Sequence, residues 1–575
     1  MDSLLMRQPS SPVGRLPDEM LLEIFSHAHA EIFALCKNNN DTQKDKPTPE
    51  QLWMNVYHVS RRWRGLISAT PSLWRILNVR MTNLDWLRFS LPLCRGASMR
   101  PRAEVYLRDP RALEGLSIIQ DYAPCVKLLS LPSHRPWTST APLRDLLSSP
   151  LPGLSNLQVW CPSDFEHWGP VLEYTADLSP LRLPRLRNVT LELARPPSST
   201  ALYSQLRSLA LHRCEWRLRF KQLLTVLAGC ANLQQLTLVK TLNDLKDNKP
   251  VGRRVALPSL RTLDLRGNYA STTALLLDHL DLPSVTAVTI GYCGLNYDPA
   301  CELPHDGQEG YFSSIVPDDL SPCSPKLHTL TSGRICANGS ICQVRAFNKT
   351  RPDEGLTIMG EGGSHCYTED LHYAVYDFNF FFSSVPLVDL EIEGAFDCVP
   401  VKDLRVLFRN FPNLDSLTLA GLRNETEHAW KALNPGPIPR INVPIKNREV
   451  LCPRLRVLTV RTHSAAEDRS YVSYKIFDEL QKMLWSRALL KVRLDQLVLR
   501  LAYDDIAREK DICGWYQDEL SGAVREVVFE HSERPHKTFV PQKPARVRRQ
   551  VARHTVGRVP AAARCRHIQR FIPCA

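Results

Sequence analysis

A short apolar pattern recurs along most of this chain and limits the folds open to it. The pattern is an apolar residue, two variable residues, a second apolar residue, one variable residue and a third apolar. Copies stand at Leu154/Leu157/Val159, Leu186/Val189/Leu191, Leu206/Leu209/Leu211 and Leu233/Leu236/Leu238. They continue at Leu260/Leu263/Leu265, Val285/Val288/Ile290, Leu387/Leu390/Ile392 and Leu414/Leu417/Leu419. Late copies are Leu455/Leu458/Val460 and Leu494/Leu497/Leu499, and weaker ones are Val126/Leu129/Leu131 and Leu327/Leu330. The last two apolar positions lie two residues apart, the period of a strand with one buried face. Helix-compatible stretches separate the copies, as at Phe220–Leu227, Thr273–Leu280 and Lys402–Phe408.

The first positions are spaced by 28, 32, 20, 27, 27 and 25 residues, then by 42, 60, 27, 41 and 39. A strand plus a return helix every ~20–29 residues is the plan of leucine-rich repeats, in which each unit buries its apolar face against its neighbours. From Ala123 to Ala502 the chain resembles that family. It departs from it in two ways. The asparagine that usually follows the strand is mostly absent, although Asn268 follows one strand closely, and the long steps imply insertions at Asn296–Pro325, Ala337–Phe382 and Asn424–Glu449. A mixed α/β domain with parallel strands and no solenoid is the competing reading.

The N-terminal segment carries a different pattern. In RLPDEMLLEIFSHAH, Pro17 suits the first turn of a helix, Asp18 and Glu19 suit its positive end, and Leu21, Leu22, Ile24 and Phe25 form an apolar stripe. Further on, Leu52, Val56, Val59, Trp63 and Leu66 are spaced as one buried helix face, with Arg61, Arg62 and Arg64 toward its flanks. Pro71 ends that helix, and Ser72–Leu77 reads as a short cap carrying Trp74. The residues Leu16, Pro17, Glu19, Leu21, Leu22, Ile24 and Phe25, followed by Val59, Arg61, Arg62, Trp63, Arg64, Leu66, Pro71, Leu73 and Trp74, resemble the F-box. That family is a three-helix module that docks on the Skp adaptor of cullin–RING ubiquitin ligases. The chain departs from it by the polar stretch 37–49 and by Ser60 in place of the commoner Cys. A helical cap for the repeat array is the alternative for this segment, and the two roles are compatible.

Charge and composition narrow the classes. The formal charge is +12, but Arg534–Ala575 holds eleven Lys or Arg and no carboxylate, which leaves a net of +1 on the preceding 533 residues. Nucleic acid is therefore not an expected partner, except through this tail, where binding would be electrostatic and without sequence readout. No apolar run approaches the ~20 residues that span a bilayer, and MDSLLMRQPSSP has no secretory pattern. The 17 cysteines are scattered as reduced, buried thiols would be. No phosphate-loop, zincin or nucleophile-elbow motif occurs, and Gly360–Gly363 lacks the Lys-Ser/Thr of a phosphate cradle. Cys336, Cys342, His365 and Cys366 lack the paired spacing of a zinc site.

The expected fold is α/β: a three-helix F-box followed by an irregular leucine-rich-repeat solenoid of parallel strands and return helices. The expected domains are a disordered 1–14, an F-box-like 15–80, a repeat region 81–531 and a disordered basic tail 532–575. The resemblance implies a non-catalytic substrate receptor of a Skp–cullin–F-box ligase, similar to the leucine-rich-repeat F-box proteins of mushroom-forming fungi. Such a receptor is expected to need no cofactor or metal, to lie off the membrane, and to work in the cytoplasm, the nucleus or both. Adaptor binding would fall to Leu16, Pro17, Glu19, Leu21, Leu22, Ile24, Phe25, Val59, Arg62, Trp63, Leu66 and Trp74. The target protein is unspecified; Gln158, Thr190, Thr237, Asp264 and Thr418 face it by position only. An interaction scaffold without a ligase role is the alternative.

Overall fold

The computed structural model describes residues 12–531 apart from 38–46, 80–82, 96–102, 108–112, 133–140, 161–177, 294–311, 338–340, 362–369, 422–426, 436–448, 463–473, 502–516 and scattered positions within 195–325. The basic tail and residues 1–11 lie outside this set, as does most of the polar stretch 37–49. Pro12–Arg15 forms a 3₁₀ turn inside the stretch expected to be disordered, closed by the Leu16 amide on the Val13 carbonyl.

Three helices come first: α1 (Asp18–Lys37), α2 (Pro49–His58) and α3 (Arg61–Ser68), then a 3₁₀ turn at Pro71–Trp74. Among the described residues, seventeen strands then build one sheet. Its first part contains β1 (Ile76–Val79), β2 (Ala103–Leu107), β3 (Val126–Pro132), β4 (Asn156–Trp160), β5 (Asn188–Glu192), β6 (Ser208–His212) and β7 (Gln235–Val239). A two-stranded pair, β8 (Val255–Ala256) with β10 (Leu280–Asp281), stands apart, while β9 (Thr262–Asn268) and β11 (Ala287–Cys293) extend the main sheet. The rest is β12 (Ser332–Ala337), β13 (Ile341–Asn348), β14 (Arg351–Glu361), β15 (Asp389–Glu393), β16 (Ser416–Gly421), β17 (Val457–Thr462), β18 (Leu494–Leu501) and β19 (Val524–His531).

Connecting helices are α4 (Leu84–Arg95), α5 (Leu113–Gln120), α6 (Ala141–Ser148), α7 (Thr200–Tyr203), α8 (Phe220–Ala228) and α9 (Ala270–Asp278). Later ones are α10 (Asp370–Phe382), α11 (Val401–Asn410), α12 (Glu427–Leu433) and α13 (Tyr474–Leu489). Helix α4 lies against β1, α9 against β9, α10 against β12 and β13, and α13 against β18. The helical stretches read at 220–227 and 402–408 fall within α8 and α11, while 273–280 overlaps α9 and runs past its end at Asp278 into β10.

Register shows why the apolar pattern works. Leu129, Leu157, Val189, Leu209, Leu236, Leu263 and Val288 stand opposite one another on successive parallel strands. Each is at most 3% exposed, so the recurring second position is one continuous row of core. The residues between the apolar positions share the other face. At the strand ends, Leu193, Arg213 and Lys240 take the same left-handed backbone, with φ of 49°, 53° and 51°. Each sends its N–H to the next strand, at 3.0, 2.7 and 2.9 Å to His212, Val239 and Arg266 carbonyls. Gly267 continues the series at φ 69°, and a Cβ there would lie 2.6 Å from the Lys240 side chain. Asn268 is buried; its Oδ1 accepts the Thr241 and Leu242 amides, both at 2.9 Å, and its Nδ2 donates to the Leu238 carbonyl at 2.6 Å. The one asparagine noted after a strand thus ties two successive turns together.

Three expectations change. The sheet begins at Ile76, well before Ala123, so Ser72–Leu77 is a 3₁₀ turn leading into β1 rather than a cap alone. Ala337–Phe382 is no looped-out insertion: β13 and β14 enter the main sheet, with β13 antiparallel to β12 and to β14, and α10 follows. Alternating residues in Ile341–Asn348 have one buried face, which makes the stretch a sheet strand without the leucine signature. The stretch 424–449 contributes α12, with Trp430 fully buried. Residues 296–311 lie outside the described set.

Candidate functional site

The N-terminal module is built from side chains that the apolar spacing places inward. Leu21, Phe25, Phe33, Trp53, Ile67, Leu73 and Trp74 are at most 2% exposed. Thr48 and Gln51 form a reciprocal cap at the start of α2, at 3.3 and 2.9 Å. The single long face expected from Leu52 to Leu66 is instead two helices. Ser60 is extended at φ −154° and ψ 163° and caps α3, its Oγ accepting the Trp63 amide at 3.1 Å. A residue whose side chain satisfies a free amide competes with helix continuation, so the chain breaks there. The break turns Val59 outward, to 60% exposure.

Arg62 fastens the two ends of this module. Its Nε donates to Asp18 Oδ1 at 2.9 Å and an Nη2 hydrogen to the Leu16 carbonyl at 2.6 Å. The α2–α3 junction therefore lies beside the start of α1. Phe25 and Trp63 meet edge to face, with centroids 4.8 Å apart.

The twelve residues singled out in the sequence divide by this geometry. Leu21, Phe25 and Trp74 are core. Leu16, Leu22, Trp63 and Leu66 are half-buried against that core. Pro17, Glu19, Ile24, Val59 and Arg62 face outward. Met20, 53% exposed, joins the surface group and was missed. Its signal was its place four residues before Ile24, which puts both on one outward stripe of α1.

One buried group in the module titrates unusually. His29 is 3% exposed between Phe33 and Trp53, and among the described residues its Nε2 has no hydrogen-bond partner. Burial, aided by the charge of Arg75, lowers its pKa to about 4 from 6.5. The folded state holds the ring neutral and the unfolded state protonates it first, so this stabilisation is complete above pH 6.5 and is lost as pH falls toward 4. The loss should approach about 3 kcal/mol at the acid end. Urea unfolding between pH 7 and 4.5 should show this steeper acid slope in the native chain than in His29→Leu. Equal slopes would remove His29 as the cause.

The module runs directly into the sheet. Tyr57, Trp74, Trp86 and Phe89 form an aromatic cluster with centroids 5.4–5.7 Å apart for Tyr57–Trp74, Tyr57–Phe89, Trp74–Trp86 and Trp74–Phe89. Asn78 on β1 donates to the buried Glu50 of α2 at 2.6 Å.

On the sheet, Gln158, Thr190, Thr237 and Asp264 fall in one row, joined by Ala210. The row continues through Thr289, Thr357, Arg345, Arg334 and Glu391 to Thr418. The five positions read from the sequence therefore share one face; Arg334 and Arg345 between them were missed because β12 and β13 carry no leucine pattern. Among the described residues no His, Cys, Asp and Glu group is arranged to hold a metal, and no helix is long and apolar enough to cross a membrane. Cys336 pairs in register with Gln343 and Cys342 with Ala337, which puts the two thiols on opposite faces of the sheet; His365 and Cys366 lie outside the described set. Of the eight cysteines whose side chains are described, seven are buried.

Comparison with known families matches the F-box-like family to residues 13–80, the helical module and the first strand. Residues 13–80 are thus an F-box-like domain, of the kind that binds Skp-type adaptors in ligase complexes. No curated protein matches the chain.

Proposed function

We propose that this chain is a non-catalytic substrate receptor of a Skp–cullin–F-box ubiquitin ligase, acting in the cytoplasm, the nucleus or both. The F-box-like domain takes the Skp adaptor, and the adaptor brings the cullin scaffold. The sheet-and-helix region, which we read as irregular leucine-rich repeats of the fungal type, binds a target protein. Rate acceleration comes from proximity: the complex raises the effective concentration of target lysines near the charged ubiquitin carrier, and no residue of this chain performs chemistry.

The observation that carries the reading is the F-box-like match at 13–80 on a module that leaves Met20, Ile24 and Val59 at 45–60% exposure. Exposed apolar side chains contribute little to the fold and much to an interface once a partner covers them.

Recovery on an immobilised Skp-type adaptor tests this. Ile24→Asp with Val59→Asp should weaken binding by roughly 100-fold, as loss of two interface anchors does. Both sites are exposed, so the variant should melt with the native chain. Equal adaptor recovery by the folded variant would remove Ile24 and Val59 as the contact, and no recovery by the native chain would leave an interaction scaffold without a ligase role.

A further inference from the structure

We propose that the polar face of the sheet over β12–β17 binds an acidic peptide segment of the target protein, seating one aspartate or glutamate carboxylate among Arg334, Arg345 and Arg461. The proposal deepens the receptor reading and rests on it. Strands β12 and β13 deliver Arg334 and Arg345 side by side in register, and Arg334 is in turn opposite Glu391 of β15. Arg461 of β17 reaches over β16 to Glu391, Nη1 to Oε1 at 2.9 Å. Short side chains on β16, Thr418 and the buried Ala420, leave room for this crossing. Arg334 bonds Glu393 at 3.0 Å and lies 3.8 Å from Glu391.

Arg345 is different. Among the described residues it has no carboxylate within ion-pair distance. An Nη2 hydrogen goes to the Pro352 carbonyl, and the guanidinium lies 4.7 Å from the Phe347 ring centroid. Among the described residues, the buried Nε groups of Arg334, Arg345 and Arg461 all lack a hydrogen-bond partner, so donors outnumber acceptors at this place. Burial and the neighbouring Arg334 charge both lower the pKa of Arg345, while the exposed Asp353 offsets this only from a distance.

Charge decides the kind of anion. Counting the carboxylates within ion-pair distance, three guanidiniums against Glu391 and Glu393 leave one positive charge, with the exposed Asp353 acting on Arg345 outside that distance. One carboxylate balances that, whereas a phosphate dianion would overshoot and meet two fixed carboxylates. The adjoining pairs Lys349–Asp389 and Arg500–Glu530 are already matched.

The test uses the full chain bound to a Skp-type adaptor and a benzophenone-bearing peptide of glycine, serine and glutamate as probe. Photolabelling should map to β12–β17, weaken about tenfold in Arg345→Gln, as loss of a charge-assisted hydrogen bond implies, and strengthen in Glu391→Gln. Label confined to residues 532–575, label indifferent to both substitutions, or tighter Arg345-dependent labelling by a phosphoserine version would each overturn the proposal. Adaptor recovery is scored in parallel. If it persists while labelling fails, the acidic-segment proposal falls alone; if the native chain recovers no adaptor, the receptor reading falls.

Discussion

Trp74→Ala should cost about 3–5 kcal/mol and separate the unfolding of the helical module from that of the sheet. Trp74 is 1% exposed and occupies the junction where the 3₁₀ turn passes into β1. Its ring is shared by Tyr57 of α2 and by Trp86 and Phe89 of α4, so its removal opens a void between the module and the first sheet helix. Its Nε1 also donates to the Ile67 carbonyl at 2.8 Å, and that buried acceptor would lose its partner. Trp74→Phe keeps most of the ring contacts and should lose only about 1–2 kcal/mol. Calorimetry of the alanine variant should show a new low-temperature transition, while the phenylalanine variant keeps one. A single, barely shifted transition in Trp74→Ala would mean that the cluster does not couple the two parts. That coupling matters for a receptor acting by proximity, because a target held on the sheet then has a fixed placement relative to the adaptor.

Much of the sheet was legible because its strands repeat the same burial requirement. Where a strand has one core face and parallel neighbours, the apolar positions must recur at the second and third sites of the motif, as Leu236/Leu238 and Leu263/Leu265 do. The strands that escaped notice break one of those conditions. In β1 (Ile76–Val79) all four residues are buried, so no alternation marks it. In β13 the core face is Cys342, Val344 and Ala346, smaller than the leucines of the repeating strands, and α10, packed against β12 and β13, brings the buried Phe378 and Phe382 to this side. The Phe378 ring lies where a Cβ on Gly333 would be, only 2.6 Å away, so β12 needs glycine to accept it.

The helical site was legible in kind but not in orientation. Spacing alone grouped Val59 with Trp63 as neighbours on one apolar stripe, yet Ser60 breaks the helix between them and sends one outward and the other against Phe25. A serine side chain satisfying an amide three residues on is a local event that hydrophobic period does not register. The pairing of Arg62 with Asp18 and Leu16 spans more than forty residues and depends on how the helices pack, so no local pattern announced it. At 41% and 52% exposure, that ion pair contributes well under ~1 kcal/mol and serves chiefly to hold the start of α1 in place.

Arg487→Ala should be the most damaging change in the C-terminal part of the sheet, at about 2–4 kcal/mol. Arg487 on α13 is fully buried, and its only described partners are the Leu451 and Cys452 carbonyls, at 2.8 and 2.9 Å. Cys452 adopts φ 46°, a left-handed turn that leads into β17 and leaves these carbonyls inside the protein. Burial lowers the pKa of Arg487, and it pushes the Cys452 thiol up to about 12, so no thiolate balances the guanidinium. A cation held by dipoles alone is costly, but without it the Leu451 carbonyl faces apolar surroundings unpaired. Arg487→Met, which removes the charge and keeps the stem packing, should therefore lose less than the alanine variant. Amide hydrogen exchange should rise at Leu455–Thr462 in Arg487→Ala, while strands β5–β7 keep native protection. Faster exchange spread equally over β5–β7 would place Arg487 in a global role; no change at Leu455–Thr462 would show that the two carbonyls find other donors.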